Sequence, residues 1–362
     1  MVQKGNILNI ITAVISLLLP CTAAQGQPSS SLPAAGRDAR FTVLEREDRG
    51  TYDCLLIDYG LRSYLLLPDG ADSLTRCPGI VMLHDHGARF DIGKEKLARP
   101  LESAPEHVKL SSRQWVDEHF DGVYFADSLA SLGYAVIIPD MLYWGDRSSD
   151  ACRQWSRLKF SPGRKTGKPV LDSLKHLVYE GQKAVYDSLM SEGIVWAEMT
   201  MKEDALAAEI ISGMDCVDSS RLAAVGWSMG AHRAWLLTAF CPEVKAGVSL
   251  CWMTLKETQP VPPKASDYAM LIPEMREKYD FPDIAAKLAP KPYLFLNGTR
   301  DHLFPVPPVS EAFGRMQSIY RDLGAEGRLE TVFFDGGHHC GKEVQSLIVE
   351  FLEKTVPLPY WK

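Results

Sequence analysis

A serine lies at the centre of the motif Gly-Trp-Ser-Met-Gly, residues 226–230, between two segments of different character. Residues 222–225 form a short apolar run typical of a buried parallel strand, and residues 231–240 have the Ala, Leu and Trp content of a helix packed on a sheet. A serine on such a turn is exposed for nucleophilic attack, and the flanking glycines let strand and helix approach closely. The motif therefore predicts that Ser228 is a nucleophile.

The helix that follows Ser228 would also supply an anion site. The first N–H groups of a helix lack partners within the helix and carry the positive end of its dipole. Because the N–H of Met229 is the nearest to the serine, we expect it to stabilise the negative charge that develops during acyl transfer.

A serine hydroxyl needs a histidine base, and the sequence offers two candidates near the carboxyl end of the chain. Residues 309–323 read as a helix, and residues 329–334 read as a strand that leads to Asp-Gly-Gly-His-His. Either His338 or His339 could accept the proton from the serine.

The acid that orients the base also has two candidates. Residues 291–297 read as a buried strand that runs into Gly-Thr-Arg-Asp, so Asp301 lies at a strand's carboxyl end. Asp335 is the alternative, but it precedes two glycines and is better suited to a turn. We favour Asp301 because the acid must reach the far imidazole nitrogen from a separate loop. The order serine, acid, histidine is the one found in α/β hydrolases.

Five segments together resemble secreted bacterial α/β hydrolases of the acetyl xylan esterase and dienelactone hydrolase type. The resemblance covers most of the mature chain and rests on these segments: His-Asp-His-Gly at 84–87, Gly-Tyr-Ala-Val at 133–136 leading to Pro-Asp at 139–140, the serine motif, Gly-Thr-Arg-Asp at 298–301, and Gly-His at 337–338. It implies an α/β-hydrolase fold, with a mostly parallel central sheet and helices on both faces.

The resemblance also implies the roles of individual residues. It assigns Ser228 as the nucleophile and Asp301 as the acid, and it favours His338 as the base because Gly-His is the usual context. It places a second oxyanion N–H near His86, with Gly87 as the alternative donor.

The two histidines His84 and His86 could instead face a common metal ion, since one residue separates them. Their partners are poor, because Asp91 and His338 could join them only by assumption. The chain has no His-Glu-x-x-His motif and no paired Cys-x-x-Cys. We therefore expect no metal site and no cofactor.

The predicted elements alternate along the chain. Strands are expected at 54–58 and 63–67 as an opening hairpin and at 79–83 as the start of the parallel sheet, and amphipathic helices at 126–132, 201–214 and 344–354. Two stretches break this alternation, residues 147–195 and 254–288. They follow carboxyl ends of strands, so they could form a cap that controls substrate selectivity.

Tyr-Trp-Gly-Asp-Arg at residues 143–147 follows another predicted strand. Trp144 could line a pocket or pack against a loop. For Asp146 and Arg147 we expect a structural role in a salt bridge.

Composition fits one enzyme-sized domain over residues 41–362. The chain of 362 residues is 46% hydrophobic, which is enough for a large core. Its formal net charge of −7 and the lack of a basic stripe argue against a nucleic-acid partner.

The amino terminus reads as an export signal. Lys4 precedes an apolar run at residues 7–19, followed by small residues that predict cleavage after Ala24. The run is too short to span a membrane comfortably, so the mature chain is expected to have no membrane span. Pro20 before Cys21 disfavours a lipoprotein, and residues 25–40 read as a polar tether. We expect a periplasmic or extracellular protein.

Seven cysteines remain after removal of the signal, scattered through predicted core elements, and they imply no disulfide framework. Cys340 follows the histidine pair, but it lacks a histidine and acid of its own and is interpreted as a packing residue.

The sequence therefore predicts a secreted serine carboxylesterase. From the resemblance, its substrates would be short acyl esters, with acetyl groups on carbohydrate as the leading natural target. A serine peptidase on the same fold and a non-catalytic binding module are the alternatives.

Overall fold

The computed structural model of the protein describes residues 41–163, 165–258, 263 and 266–359. Its centre is a nine-stranded sheet in the order β1-β2-β3-β5-β4-β6-β7-β8-β9. The strands are β1 (Thr42–Asp48), β2 (Tyr52–Asp58), β3 (Arg62–Pro68), β4 (Cys77–Leu83), β5 (Ala135–Pro139), β6 (Val217–Trp227), β7 (Ala246–Leu250), β8 (Tyr293–Gly298) and β9 (Leu329–Phe334).

The sheet changes from antiparallel to parallel along its width. Strands β1, β2 and β3 form an antiparallel meander, and β3 also pairs antiparallel with β5. Every pair from β5 through β4 to β9 is parallel. Strands β4, β5 and β7 are buried along their whole length, because a parallel sheet needs helices over both faces and its strands are therefore apolar on both sides.

Helices cover the two faces of the sheet as expected. They are α1 (Glu106–His119), α2 (Phe125–Leu132), α3 (Asp150–Lys159), α4 (Lys168–Ser191), α5 (Trp196–Ser212), α6 (Met229–Phe240), α7 (Pro273–Lys278), α8 (Ala285–Leu288), α9 (Val306–Asp322) and α10 (Lys342–Thr355). Helices α1, α2 and α10 share one apolar core with the sheet, while α5, α6 and α9 contribute to the cores on the other side. The predicted α/β-hydrolase fold is confirmed.

The opening hairpin corresponds to β2 and β3, which pair in antiparallel register from Tyr52 opposite Pro68 to Asp58 opposite Arg62. One further strand, β1, precedes it at the edge of the sheet. Residues of β1 alternate between exposed and half-buried, so neither face of this strand is apolar enough to stand out in the sequence.

The stretch 147–195 contains helices α3 and α4, and α4 packs on the loops that follow β4 and β5. The hydroxyl of Tyr143 donates a hydrogen bond to the carbonyl of Val178 in α4, at 2.7 Å. The ammonium of Lys175 in α4 binds the carbonyl of Ala88, in the loop after β4. The helix therefore lies over the carboxyl ends of these strands.

The predicted signal and tether, residues 1–24 and 25–40, lie outside the described residues. In the part of the chain that is described, each helix is too short or too polar to cross a bilayer. The seven cysteines from Cys54 to Cys340 are free thiols, and all except Cys216 are buried.

A buried ion pair connects α5 to α6, the helix that follows the Gly-Trp-Ser-Met-Gly motif. The guanidinium of Arg233 donates two hydrogen bonds to the Asp204 carboxylate, at 2.9 and 2.6 Å, and both side chains are buried. Because both partners have left water, removal of either charge leaves the other one uncompensated.

We predict that Asp204→Asn lowers the free energy of unfolding by about 3 to 5 kcal/mol, because it leaves the Arg233 guanidinium buried without its counter-charge. Urea denaturation measures this change. The control is Asp117→Asn, which breaks an exposed pair with Arg113 on α1 and should cost less than about 1 kcal/mol. Equal and small losses for both variants would show that the buried pair does not anchor α6.

Candidate active site

Ser228 stands alone between β6, which ends at Trp227, and α6, which begins at Met229. Its backbone has φ 54° and ψ −123°, a left-handed conformation that non-glycine residues rarely adopt. The Ser228 N–H donates to the carbonyl of Leu250 at the end of β7, at 2.8 Å. Such strain persists only where the surrounding structure over-determines the backbone, and it is typical of functional turns.

The two glycines of the motif explain how this turn is held. A Cβ on Gly226 would overlap the backbone of Gly230, and a Cβ on Gly230 would overlap the carbonyl of Leu83 in β4. The same atom on Gly230 would lie 2.9 Å from the carbonyl oxygen of His84. Strand β6, helix α6 and the end of β4 therefore touch through their backbones.

The structure brings His338 and Asp301 together. Asp301 follows β8 and His338 follows β9, and these neighbouring strands are parallel, so their carboxyl ends lie at the same edge of the sheet. The Nδ1 atom of His338 lies 2.8 Å from Oδ2 of Asp301. The other carboxylate oxygen accepts the N–H groups of Leu303 and Phe304, at 2.8 and 3.1 Å.

The Asp301 side chain is buried, yet it remains ionised. Burial raises the pKa of a carboxyl, but the hydrogen bond from His338 and the two backbone N–H groups outweigh this effect and lower the pKa of Asp301 below its usual value. The carboxylate therefore accepts the Nδ1–H of His338, which leaves Nε2 as the ring nitrogen for proton transfer.

Ring contacts place His338 beside the serine turn. Its imidazole lies 5.4 Å from the ring of Trp227, the residue that precedes Ser228. The same imidazole stacks on Phe304, with 5.9 Å between the ring centroids. The histidine therefore contacts two aromatic rings, one of which belongs to the residue next to Ser228.

The two rival residues have other contacts. Asp335 is exposed and forms an ion pair with Arg300. His339 packs its ring edge-on against Phe334, 5.8 Å between centroids. This geometry favours the pair His338 and Asp301 over their neighbours.

Both ring nitrogens of His84, the first histidine after β4, contact backbone groups. The Nε2 of His84 accepts the N–H of Met141, at 3.2 Å, and its Nδ1 lies 2.9 Å from the carbonyl of Asp85. Burial, together with the nearby charges of Arg233 and Lys96, lowers the pKa of His84 well below its usual value, so the ring is neutral. Both nitrogens are used, which argues against His84 as a metal ligand.

The side chain of His86 also serves the loop. Its Nδ1 accepts the N–H of Ala88, at 3.0 Å, and its Nε2 lies 3.2 Å from the amide nitrogen of Gln182 in α4. The third suggested ligand, Asp91, accepts hydrogen bonds from Ser111 and Ser156 instead, at 2.5 and 2.8 Å. The structure therefore does not assemble these residues around a common point.

A different group could hold an ion. Among the described residues, one set of three offers ligand atoms within 4.8 Å of one another, namely Cys251, Asp301 and His338. The Asp301 and His338 atoms already bond to each other. Burial raises the pKa of the Cys251 thiol well above its usual value, so it is protonated at neutral pH and a poor ligand.

Trp144 packs a loop rather than lining an open pocket. It is fully buried, and its indole N–H donates to the carbonyl of His86, at 3.0 Å. Asp146 and Arg147 do form salt bridges, but with other residues: Asp146 with Lys94 and Arg147 with Glu203.

One buried residue at the loop after β4, Lys96, could not be predicted from the sequence. The segment Gly-Lys-Glu-Lys at residues 93–96 reads as a polar surface turn, because lysine and glutamate are seldom buried. The nearby His-Asp-His-Gly motif marks the loop that Lys96 contacts, but it does not indicate that a lysine is buried against it.

A cavity of about 290 Å³ lies elsewhere, beside the antiparallel part of the sheet. Its walls include Tyr64, Lys94 and Arg157, and none of Ser228, Asp301 and His338 lines it. This cavity is therefore separate from the three candidate residues.

Comparisons with known proteins agree with this architecture. A family model described as the alpha/beta hydrolase fold matches residues 111–347. A protein of Bacillus subtilis (strain 168) named as a hydrolase, YtaP, is 24% identical over 319 residues, which cover 86% of this chain and 90% of that protein.

Two solved structures have the same overall shape. One, from Bacteroides fragilis NCTC 9343, is described as an acetyl xylan esterase; it has a TM-score of 0.60 at 16% identity and covers 91% of this chain and 74% of its own. The other is a glucuronoyl esterase from Solibacter usitatus, with a TM-score of 0.54 at 13% identity, covering 91% and 88%. At these identities the likeness shows the fold, and with the family match it leads to one conclusion: the chain belongs to the alpha/beta hydrolase fold family.

Proposed function

We propose that this protein is a serine carboxylesterase that hydrolyses short acyl esters, with acetyl groups on carbohydrate as its natural target. The observation that carries the proposal is the strained turn at Ser228 beside the hydrogen-bonded pair of His338 and Asp301. The three residues occur in the chain order of α/β hydrolases.

In the proposed reaction, Ser228 Oγ attacks the carbonyl carbon of the ester while His338 Nε2 removes the hydroxyl proton. The bond to the alcohol then breaks, and His338 returns the proton to the departing oxygen. The acyl group is left on the serine. A water molecule, deprotonated by His338, then attacks the acyl carbon; the bond to Ser228 Oγ breaks, the acid leaves, and His338 returns the proton to the serine oxygen.

Asp301 orients the base in both half-reactions. Its carboxylate holds the Nδ1–H of His338, which keeps Nε2 unprotonated and stabilises the imidazolium that forms. Two backbone N–H groups hold the carboxylate in turn, so its position does not depend on the histidine alone.

The oxyanion is stabilised by backbone N–H groups. One is the N–H of Met229, at the amino end of α6, and the other belongs to the loop after β4, from His86 or Gly87. The backbone contact between Gly230 and the end of β4 brings these two elements side by side.

The carbohydrate part of the proposal draws on the relatives. Two proteins of the same fold are described as an acetyl xylan esterase and a glucuronoyl esterase. We further propose that residues 147–195 and 254–288 form a cap that selects the alcohol, and that residues 1–24 direct export, with 25–40 as a tether.

We predict that Ser228→Ala keeps its fold but loses about 10⁴- to 10⁶-fold in kcat on p-nitrophenyl acetate, because only the attacking oxygen is removed. The wild-type protein should be labelled at Ser228 by a fluorophosphonate, which peptide mass spectrometry locates. Ser346→Ala, on the exposed face of α10, is the control and should keep full activity.

Two further measurements distinguish the alternatives, a serine peptidase and a non-catalytic binding module. A peptidase would cleave amino-acid arylamides faster than the acetate ester, and a binding module would show no acyl-enzyme burst. Full activity of Ser228→Ala would exclude the serine mechanism.

Variants of the neighbouring pairs test the base and the acid. We predict that Asp301→Asn and His338→Ala each lower kcat by about 10³- to 10⁴-fold, because the proton relay loses its orientation or its base. Asp335→Asn and His339→Ala should stay within about fivefold of wild type, since both residues lie outside the relay. Steady-state kinetics on purified, folded variants give these ratios.

If His339→Ala is the inactive variant, the base is wrongly assigned although the fold and the reaction class are retained. If Asp335→Asn lowers kcat as much as Asp301→Asn does, the assignment of Asp301 as the orienting acid is wrong.

Chelation tests the metal alternative at Cys251, Asp301 and His338. We predict that dialysis against EDTA leaves kcat unchanged, because the serine relay and the backbone N–H groups supply the nucleophile and the charge stabilisation. Atomic absorption of the dialysed protein confirms that any metal has been removed. Loss of activity that zinc restores would favour the metal group instead.

A further inference from the structure

Lys96 is the last residue of a short 3₁₀ turn, Lys94–Lys96, and it is fully buried. Lysine is rarely buried without partners, because transfer of an ammonium group out of water is costly. Its surroundings must therefore compensate this cost.

The compensation comes from the loop that follows β4. The Lys96 ammonium donates to the carbonyl of Asp85 at 2.8 Å and to the carbonyl of His86 at 3.0 Å, and it lies 3.3 Å from the Asp85 carboxylate. These three contacts match the three N–H donors of an ammonium. The group also lies 4.9 Å from the ring centroid of Trp115, within range of a cation–π contact.

The lysine keeps its proton at neutral pH. Burial lowers the pKa of Lys96 to about 8, while the Asp85 carboxylate opposes this shift. At pH 7 the ammonium form therefore predominates and can make all three contacts.

The contacts determine which way two peptide groups face. In a planar trans peptide the C=O and the N–H point in opposite directions. Since the carbonyls of Asp85 and His86 both point at Lys96, the N–H groups of His86 and Gly87 both point away from it. Successive N–H groups that face the same way make an anion-binding concavity.

The same loop lies against the serine turn. Gly230, two residues after Ser228, touches the backbone of Leu83, the last residue of β4, and approaches the carbonyl of His84, the first residue of the loop. A side chain at Gly87 would overlap Trp115 and the Asp85 carboxylate, and Gly87 has φ +51°, so the loop conformation requires glycine there.

We propose that Lys96 is a positioning residue for the oxyanion site: by holding the carbonyls of Asp85 and His86, it aims the N–H groups of His86 and Gly87 at the substrate. The inference rests on the serine esterase function proposed above. The proposal holds whether the N–H of His86 or that of Gly87 binds the oxyanion, because the Lys96 ammonium binds the carbonyls of both peptide groups.

The neighbouring Lys94 provides a matched control. It lies in the same turn, is equally buried, and binds the side chains of Asp140, Asp146 and Glu95 rather than the loop carbonyls. Substitution of either lysine by methionine removes a buried charge, but only one of the two releases the loop.

We predict that Lys96→Met lowers kcat on p-nitrophenyl acetate by about 10²- to 10³-fold, the usual effect of losing one oxyanion donor, while KM changes less than about threefold. The affinity for phenylboronic acid, which forms an anionic adduct with the serine, should fall in parallel. Lys94→Met should keep kcat within about threefold of wild type, even if it lowers the melting temperature as much as Lys96→Met does.

Lys96→Gln gives a second measurement if the methionine variant does not fold, because its amide retains N–H donors. It should have an intermediate kcat. All rates are normalised to the sites that a fluorophosphonate labels at completion.

The outcomes separate the two proposals. If the wild-type protein is not labelled at Ser228, the esterase function fails and the role of Lys96 fails with it. If labelling succeeds but Lys96→Met keeps its kcat, or Lys94→Met loses as much, only the positioning role is overturned.

Discussion

The geometry of the site depends on a backbone contact that side chains would prevent. At the turn after β6, the backbones of Gly226 and Gly230 pack against each other, and Gly230 also packs against the carbonyl of Leu83. This contact sets the distances among strand β4, strand β6 and helix α6, which follows β6. Because the helix begins at Met229 and the loop after β4 begins at His84, the placement of both next to each other follows from the absence of two Cβ atoms.

The remaining groups reach the same edge for a topological reason. Parallel strands end at the same side of a sheet, so a residue after β8 and a residue after β9 become neighbours although a whole helix separates them in the chain. Asp301 and His338 use this arrangement, and the N–H groups of Leu303 and Phe304 hold the carboxylate independently of the histidine. The polar contacts are local, while the sheet supplies the long-range order.

The fold and most residues of the candidate site could be proposed from local patterns. Strands such as β4 and β8 are apolar runs, the serine motif has glycines at the required spacing, and the acid and the histidine follow strands directly. Strands β1 and β7 could not be predicted, because β1 alternates exposed and half-buried residues and β7 is a five-residue segment with a glycine. Lys96 could not be predicted either, because the burial of a lysine depends on carbonyls that only the folded loop presents.

The edge strand β1 has a consequence for how the protein behaves at high concentration. A sheet whose last strand is flat and apolar invites another chain to add to it. Here the outermost strand carries Glu45, Arg46, Glu47 and Asp48 in succession, and its pairing with β2 is irregular between Val43 and Glu45. Charges and a local shift of register both oppose the addition of a further strand, so this border of the sheet resists self-association even though its hydrogen-bonding groups face outward.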